Sequence, residues 1–106
     1  MLIKAVDIPK NDPIYKFSNP IEAQRQANKY LGKQAIIYRS TNKNKKYSII
    51  DKDGKIVHFG QMGYEDFTKH LDKERRKNYL TRSGKILGDW QKNKYSPNNL
   101  SREILW

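Results

Sequence analysis

His58 and His70 are the two histidines of the chain, and His70 lies between two carboxylates, Asp66 and Asp72. Imidazole with carboxylate can ligate a divalent metal, and because the chain has no cysteine, either Asp66 or Asp72 would have to complete such a site. His58 alternates with Val57 and Phe59 as a strand residue would, and His70 falls on a helical stretch. Two structural histidines and no metal is the expectation. The turn Asp51-Lys52-Asp53-Gly54 has part of the spacing of a calcium loop, but the first ligand position would be Ile49 and the closing glutamate position Gly60. Without those two ligands the segment reads as a hairpin turn.

Acid–base catalysis needs paired carboxylates in an apolar pocket or a nucleophile beside a base. Glu65 and Asp66 are adjacent and would diverge on a helix, while Glu74 is flanked by Lys73, Arg75 and Arg76. No phosphate-cradling glycine loop and no serine elbow is present. The expectation is a protein that is not an enzyme and takes no cofactor and no small-molecule substrate. Gly60-Gln61-Met62-Gly63 has the spacing of the backbone clamp of KH domains, but that clamp joins two helices and this one joins a strand to a helix. Glycine's freedom to take positive φ explains it as a joint, with Phe59, Gly60, Gly63, Tyr64, Phe67 and Leu71 locking helix to sheet.

The chemistry that remains is charge. Asp72 to Lys77, DKERRK, is the densest charged run, and Asp72 and Glu74 could pair with Arg75, Arg76 or Lys77 at helical spacing. That describes a solvated helix face. Equally, Lys69, Lys73, Arg75, Arg76, Lys77 and Arg82 could contact an anionic partner, with Tyr79, Trp90 and Tyr95 available to stack on bases or, flanked by Leu80 and Ile86, to pack in a core.

The elements that would position these groups follow from local signals. SNPIEAQRQANKYLGK reads as a helix: Ser18 or Asn19 caps it, Pro20 suits the first turn and Gly32 stops it. QAIIYRS, KKYSIID and KIVHFG are three strand-like segments separated by turn sequences, which predicts an antiparallel meander with one half-exposed face. After Gly63 the apolar period becomes helical and predicts two short helices, about 64–70 and 73–82. Ser96-Pro97 starts a last helical segment. The predicted fold is therefore α+β: a small three-stranded antiparallel meander with three to four short helices over residues 19–95. An extended arm over residues 1–18 precedes it and an apolar helical tail over 96–106 follows. Leu100, Ile104, Leu105 and Trp106 make that tail a candidate partner-docking segment.

With 106 residues and 36% apolar content, the chain can build one small core, burying about two thirds of its unfolded surface. It lacks an apolar run approaching the ~20 residues that span a bilayer and a recognisable leader, so a soluble protein without a membrane partner is expected. Lys and Arg number 22 against 11 Asp and Glu, a formal net charge of +11, which favours an anionic partner. The excess is mostly lysine and accompanies abundant Ile, Asn and Tyr, a bias that A/T-rich coding sequence also produces.

The run F-G-x-x-G-Y-x-D-F-T-x-H-x-D-x-E-R-R-x-x-Y-L-x-R, from Phe59 to Arg82, follows a strand pair of the type KKYSIIDKDGKIVHFG. It resembles a family of small proteins of uncharacterised function encoded by large double-stranded DNA viruses and tailed phages. The likeness covers about Lys45 to Arg82, extends more loosely to the final ILW, and leaves residues 1–44 outside. Members often carry a histidine where this chain has Ser83, so no role is carried over for one. The resemblance implies a viral setting, as a virion component or a genome-associated protein. With no site chemistry, a small core and long termini that a monomer would leave loose, the expectation within that setting is a structural protein of a tailed-phage particle, auxiliary or minor in the capsid, partnered by capsid or other virion proteins and present in the host cytoplasm during assembly. The alternative is a sequence-independent DNA-binding protein associated with the viral genome. A host-directed regulator is a third possibility.

Overall fold

The computed structural model describes residues 2–106. Its first helix, α1 (Pro20–Leu31), starts where Asn19 accepts a hydrogen bond from the Glu22 amide and stops at Gly32, which holds φ +108°. Three strands follow, β1 (Ile37–Arg39), β2 (Lys45–Ile50) and β3 (Ile56–Gln61), paired antiparallel in the order β1-β2-β3. The register sets Ile37 opposite Ile49 and Tyr47 opposite Phe59, so large apolar side chains meet across the ladder. In the β2–β3 turn, Asp51 accepts hydrogen bonds from the Asp53 and Lys55 amides, the conventional use of Asp in a hairpin. Helices α2 (Phe67–His70) and α3 (Lys73–Gly84) begin at the aspartates Asp66 and Asp72, each of which caps with its carboxylate. The last helix, α4 (Pro97–Leu100), is capped by Ser96 and runs into a π turn over Ser101–Leu105. The α+β meander with short helices is thus the fold, and among the described residues no helix is long and apolar enough to cross a membrane.

The two ends of the chain depart from the expectation of arm and tail. Residues 2–18 are extended only locally: Lys4 bridges Tyr38 at the edge of β1, and two short 3-10 turns follow at Ala5–Asp7 and Pro13–Lys16. Asp12 caps the second turn and pairs with Arg39 at 3.1 Å. Tyr15 donates its hydroxyl to the Ile8 carbonyl. Ala5, Ile8 and Ile14 are buried in the same core as Ala23, Ala27, Ile37, Tyr47, Ile49 and Phe59. Leu100, Ile104 and Leu105 complete that core at 0–1% exposure. The docking-tail reading of these three residues is therefore corrected, because they fill the space between α1 and the sheet. Each contributes about 1.5–3 kcal/mol by leaving water. The small faces of Ala23 and Ala27 let α1 come close to the π turn and to the first 3-10 turn.

A second departure concerns the sheet. Lys46 and Ser48, which alternation would leave on an open face, are 2% and 1% exposed. β2 is the central strand, and Ser48 lies between Tyr38 on β1 and His58 on β3, whose larger side chains cover it.

Candidate functional site

The segment between β3 and α3 holds the most unusual local chemistry. Lys46 lies across from Asp66 at 3.1 Å, both almost wholly buried, and its ammonium also donates to the Tyr64 carbonyl at 2.6 Å. Asp66 in turn accepts from the Thr68 amide at 3.0 Å and from the Thr68 hydroxyl. The Ser18 hydroxyl links Thr68 to the phenol of Tyr47 at 3.1 and 2.7 Å. Burial lowers the pKa of Lys46, with Asp66 pulling it back, and raises that of Tyr47. The chain of contacts from Lys46 through Asp66, Thr68 and Ser18 to Tyr47 joins β2, α2 and the start of α1. It is closed to solvent, so it supports the fold and offers no substrate a way in. Glu65 and Asp66 do diverge, but through an extended backbone ahead of α2 rather than on a helix: Asp66 turns inward and Glu65 outward to Arg75 at 3.3 Å.

Gly60 and Gly63 act as the joint the sequence suggests, at φ +79° and +100°. Phe59 is fully buried and Phe67 partly so, but Tyr64 and Leu71 are 66% and 65% exposed and do not lock helix to sheet. Leu71 ends α2 in the left-handed conformation, φ 57°, which turns its side chain out to solvent. His70, beside it, accepts the Asp72 amide on Nδ1 at 2.9 Å, which leaves Nε2 to carry the proton. Burial lowers the His70 pKa, helped by the Arg75 charge and opposed by Glu65, Asp66 and Asp72. His58 bonds Ser40 at 2.7 Å, and among the described residues no cluster of three or more ligand-type side chains could hold a metal.

Helix α3 stands off the body and buries only Ser83. It is pinned at two places. Arg76 donates to the main-chain oxygen of Trp106 and lies over the Phe67 ring, and Tyr79 stacks on Trp106 with ring centres 4.2 Å apart. Farther along, Arg102 donates to the Leu80 carbonyl at 2.6 Å and to the Ser83 hydroxyl. Between these anchors and the sheet runs an open cleft of about 1080 Å³, walled by Lys45, Gly60 and Gln61 on one side and by Arg75, Asn78, Tyr79 and Arg82 on the other.

The six cations singled out as anionic-partner contacts therefore do not share one face. Arg75 and Arg82, separated by seven residues on α3, face the cleft. Arg76 is turned to Trp106. Lys73 and Lys77 are exposed and fall on the opposite side of the helix, and Lys69 is exposed on α2. The acids of DKERRK do not pair within the run: Asp72 is spent on the cap, and Arg75 finds Glu65 instead. Trp90 and Tyr95, offered as base-stacking groups, are committed to structure. Trp90 donates to the Ile86 carbonyl at 2.7 Å and carries Arg102 over its ring, while Tyr95 packs on the core. Lys45, Gln61 and Glu65 were not among the expected site residues. No local pattern marks them, because they enter the cleft only when β2 and the loop after β3 close against α3.

A protein-family model described as a family of unknown function, DUF5754, matches residues 35–83, from just before β1 through nearly all of α3. The chain is thus similar to that family over the sheet, the Lys46–Asp66 pair and the α3 wall of the cleft, while the segments that close the core at either end lie outside the match. No curated protein and no solved structure matches the chain.

Proposed function

We propose that the protein binds nucleic acid without regard to sequence, through the cleft between the sheet and α3. The observation that carries this reading is the opposition of Lys45 on the sheet side to Arg75 and Arg82 on the helix side of one open cleft, in a chain of net charge +11. Phosphates placed there would meet cations on both walls. The ion pair between Arg75 and Glu65 is half-exposed on both sides, and such pairs are weak enough for a phosphate to displace. The reading is one of binding, carried by the charge of the two walls.

The reading as a structural protein of a virus particle drew on loose termini that would seek a partner. Leu100, Ile104 and Leu105 are packed inside the protein itself, so docking on a capsid would need another surface, and the basic cleft becomes the better-supported contact. The test is fluorescence anisotropy with labelled oligonucleotides of unrelated sequence at 50 and 200 mM salt. Three phosphate contacts predict a loss of about 20- to 40-fold in affinity over that interval. The Arg75→Gln/Arg82→Gln pair should flatten the dependence, while Lys73→Gln/Lys77→Gln should change it less. Absence of binding at 50 mM salt, or a reversed order of the two double variants, would refute the assignment.

A further inference from the structure

We infer that the cleft takes a single strand in preference to a duplex, with Tyr64 as the platform on which a base stacks; this rests on the nucleic-acid reading above. Tyr64 is the aromatic side chain of the cleft that is left uncommitted. It is 66% exposed, and among the described residues its ring and hydroxyl have no aromatic or hydrogen-bonding partner. Tyr79 and Trp106, by contrast, are stacked on each other. An exposed aromatic inside a channel lined by cations is the arrangement that binds unpaired bases, since every base has a π face.

The shape argues the same way. A helix that reads a duplex must protrude into the major groove, which is about 12 Å wide. The side of α3 that carries Arg75, Tyr79 and Arg82 is faced across the cleft by Lys45, Gly60 and Gln61, and the molecule itself spans only 34 × 33 × 25 Å. An element faced by an opposite wall does not protrude to enter a groove, whereas a flexible single strand can lie along the cleft between the cations of its two sides. The neutral polar side chains of Gln61, Asn78 and Thr81 line the cleft and make no side-chain hydrogen bond among the described residues, so they can meet sugar or base edges. Glu65 is the acidic group of the lining. It lowers affinity for a polyanion and restrains Arg75.

The experiment compares a homopyrimidine 12-mer, which forms no duplex with itself, with a 12-base-pair duplex at one salt concentration. The single strand should bind at least about fivefold more tightly, the least that one stacked base contributes. Tyr64→Ala should weaken single-strand binding by about 5- to 150-fold, the effect of losing one stacked base, and leave duplex binding unchanged, while Tyr64→Phe keeps single-strand affinity. Glu65→Gln should raise affinity for both. Equal or tighter binding of the duplex, or a Tyr64→Ala effect that is absent or the same on both ligands, would overturn the single-strand assignment while leaving nucleic-acid binding in place. Failure to bind either ligand would overturn both.

Discussion

Substituting alanine for Gly60 and for Gly63 separates backbone conformation from packing, because both residues hold positive φ but only one is enclosed. A Cβ on Gly60 would fall 2.7 Å from Leu105 Cδ1 and 3.3 Å from Lys46 Cβ. Neither neighbour can move away: Leu105 is 1% exposed, and Lys46 is held by Asp66 and the Tyr64 carbonyl. A Cβ on Gly63 would meet nothing within 4 Å. The left-handed conformation costs a non-glycine residue about 1–2 kcal/mol, and an extra methyl in a filled core costs about 1–3 kcal/mol more. Gly63→Ala should therefore lose about 1–2 kcal/mol and Gly60→Ala about 2–5 kcal/mol. Urea unfolding followed by circular dichroism measures both, with slopes compared to confirm that the denatured state is unchanged. Adding Leu105→Ala to Gly60→Ala makes room for the new methyl, so the double variant should be more stable than the sum of the two single losses predicts. Equal losses for the two glycine variants, together with strict additivity in the double, would show that Leu105 does not pack over Gly60 and would refute the proposed closure of the joint.

Other perturbations probe the remaining parts of the frame. Lys46→Met leaves the Asp66 carboxylate buried without its cation and should cost about 3–5 kcal/mol by the same urea assay, a loss that Lys45→Met, at a cleft position, should not approach. Leu71→Gly relieves a left-handed position, worth about 1–2 kcal/mol, at a backbone-entropy cost of about 0.5–1 kcal/mol, and since the side chain is exposed it should raise stability by about 0.5–1 kcal/mol. The His70 pKa is lowered from 6.5, so the unfolded chain takes up a proton that the folded ring resists. Stability is then complete above about pH 6.5 and falls as the pH drops below it, and His70→Gln should remove this dependence between pH 7.5 and 5.5. Tyr47 gives the opposite sign. Its raised pKa keeps the phenol protonated in the fold while the unfolded chain ionises near 10, so stability falls as the pH rises through 10, and Tyr47→Phe should blunt that loss.

Much of the local structure is legible in short windows because its causes are short-ranged. Asn19, Asp72 and Ser96 each cap the helix that follows within two or three residues, whereas Asp66, read as lying within a helix, caps one that starts three residues later than expected. Asp51 and Gly54 close a hairpin whose strands flank it directly. The site is less legible. The run DKERRK shows that a helix will be charged, but not that Arg75 turns to the cleft while Arg76 turns to Trp106, thirty residues later in the chain. Tyr64 and Leu71 have the composition of core residues and lie outside it, since the positive φ of Gly63 and of Leu71 redirects the backbone just before one and at the other.

What the sequence alone determined is α1, the three strands, the order in which short helices follow them and the excess of positive charge, all of which depend on neighbours within a turn or on composition. The tertiary structure decided which groups are withdrawn from water. It buried Ala5, Ile8 and Ile14 together with Leu100, Ile104 and Leu105 in one core, set Lys46 against Asp66, and brought Lys45 and Arg82 to the two walls of one cleft. Residues far apart in sequence become neighbours only when the apolar face of the sheet is covered. The Leu100, Ile104 and Leu105 side chains supply much of that cover.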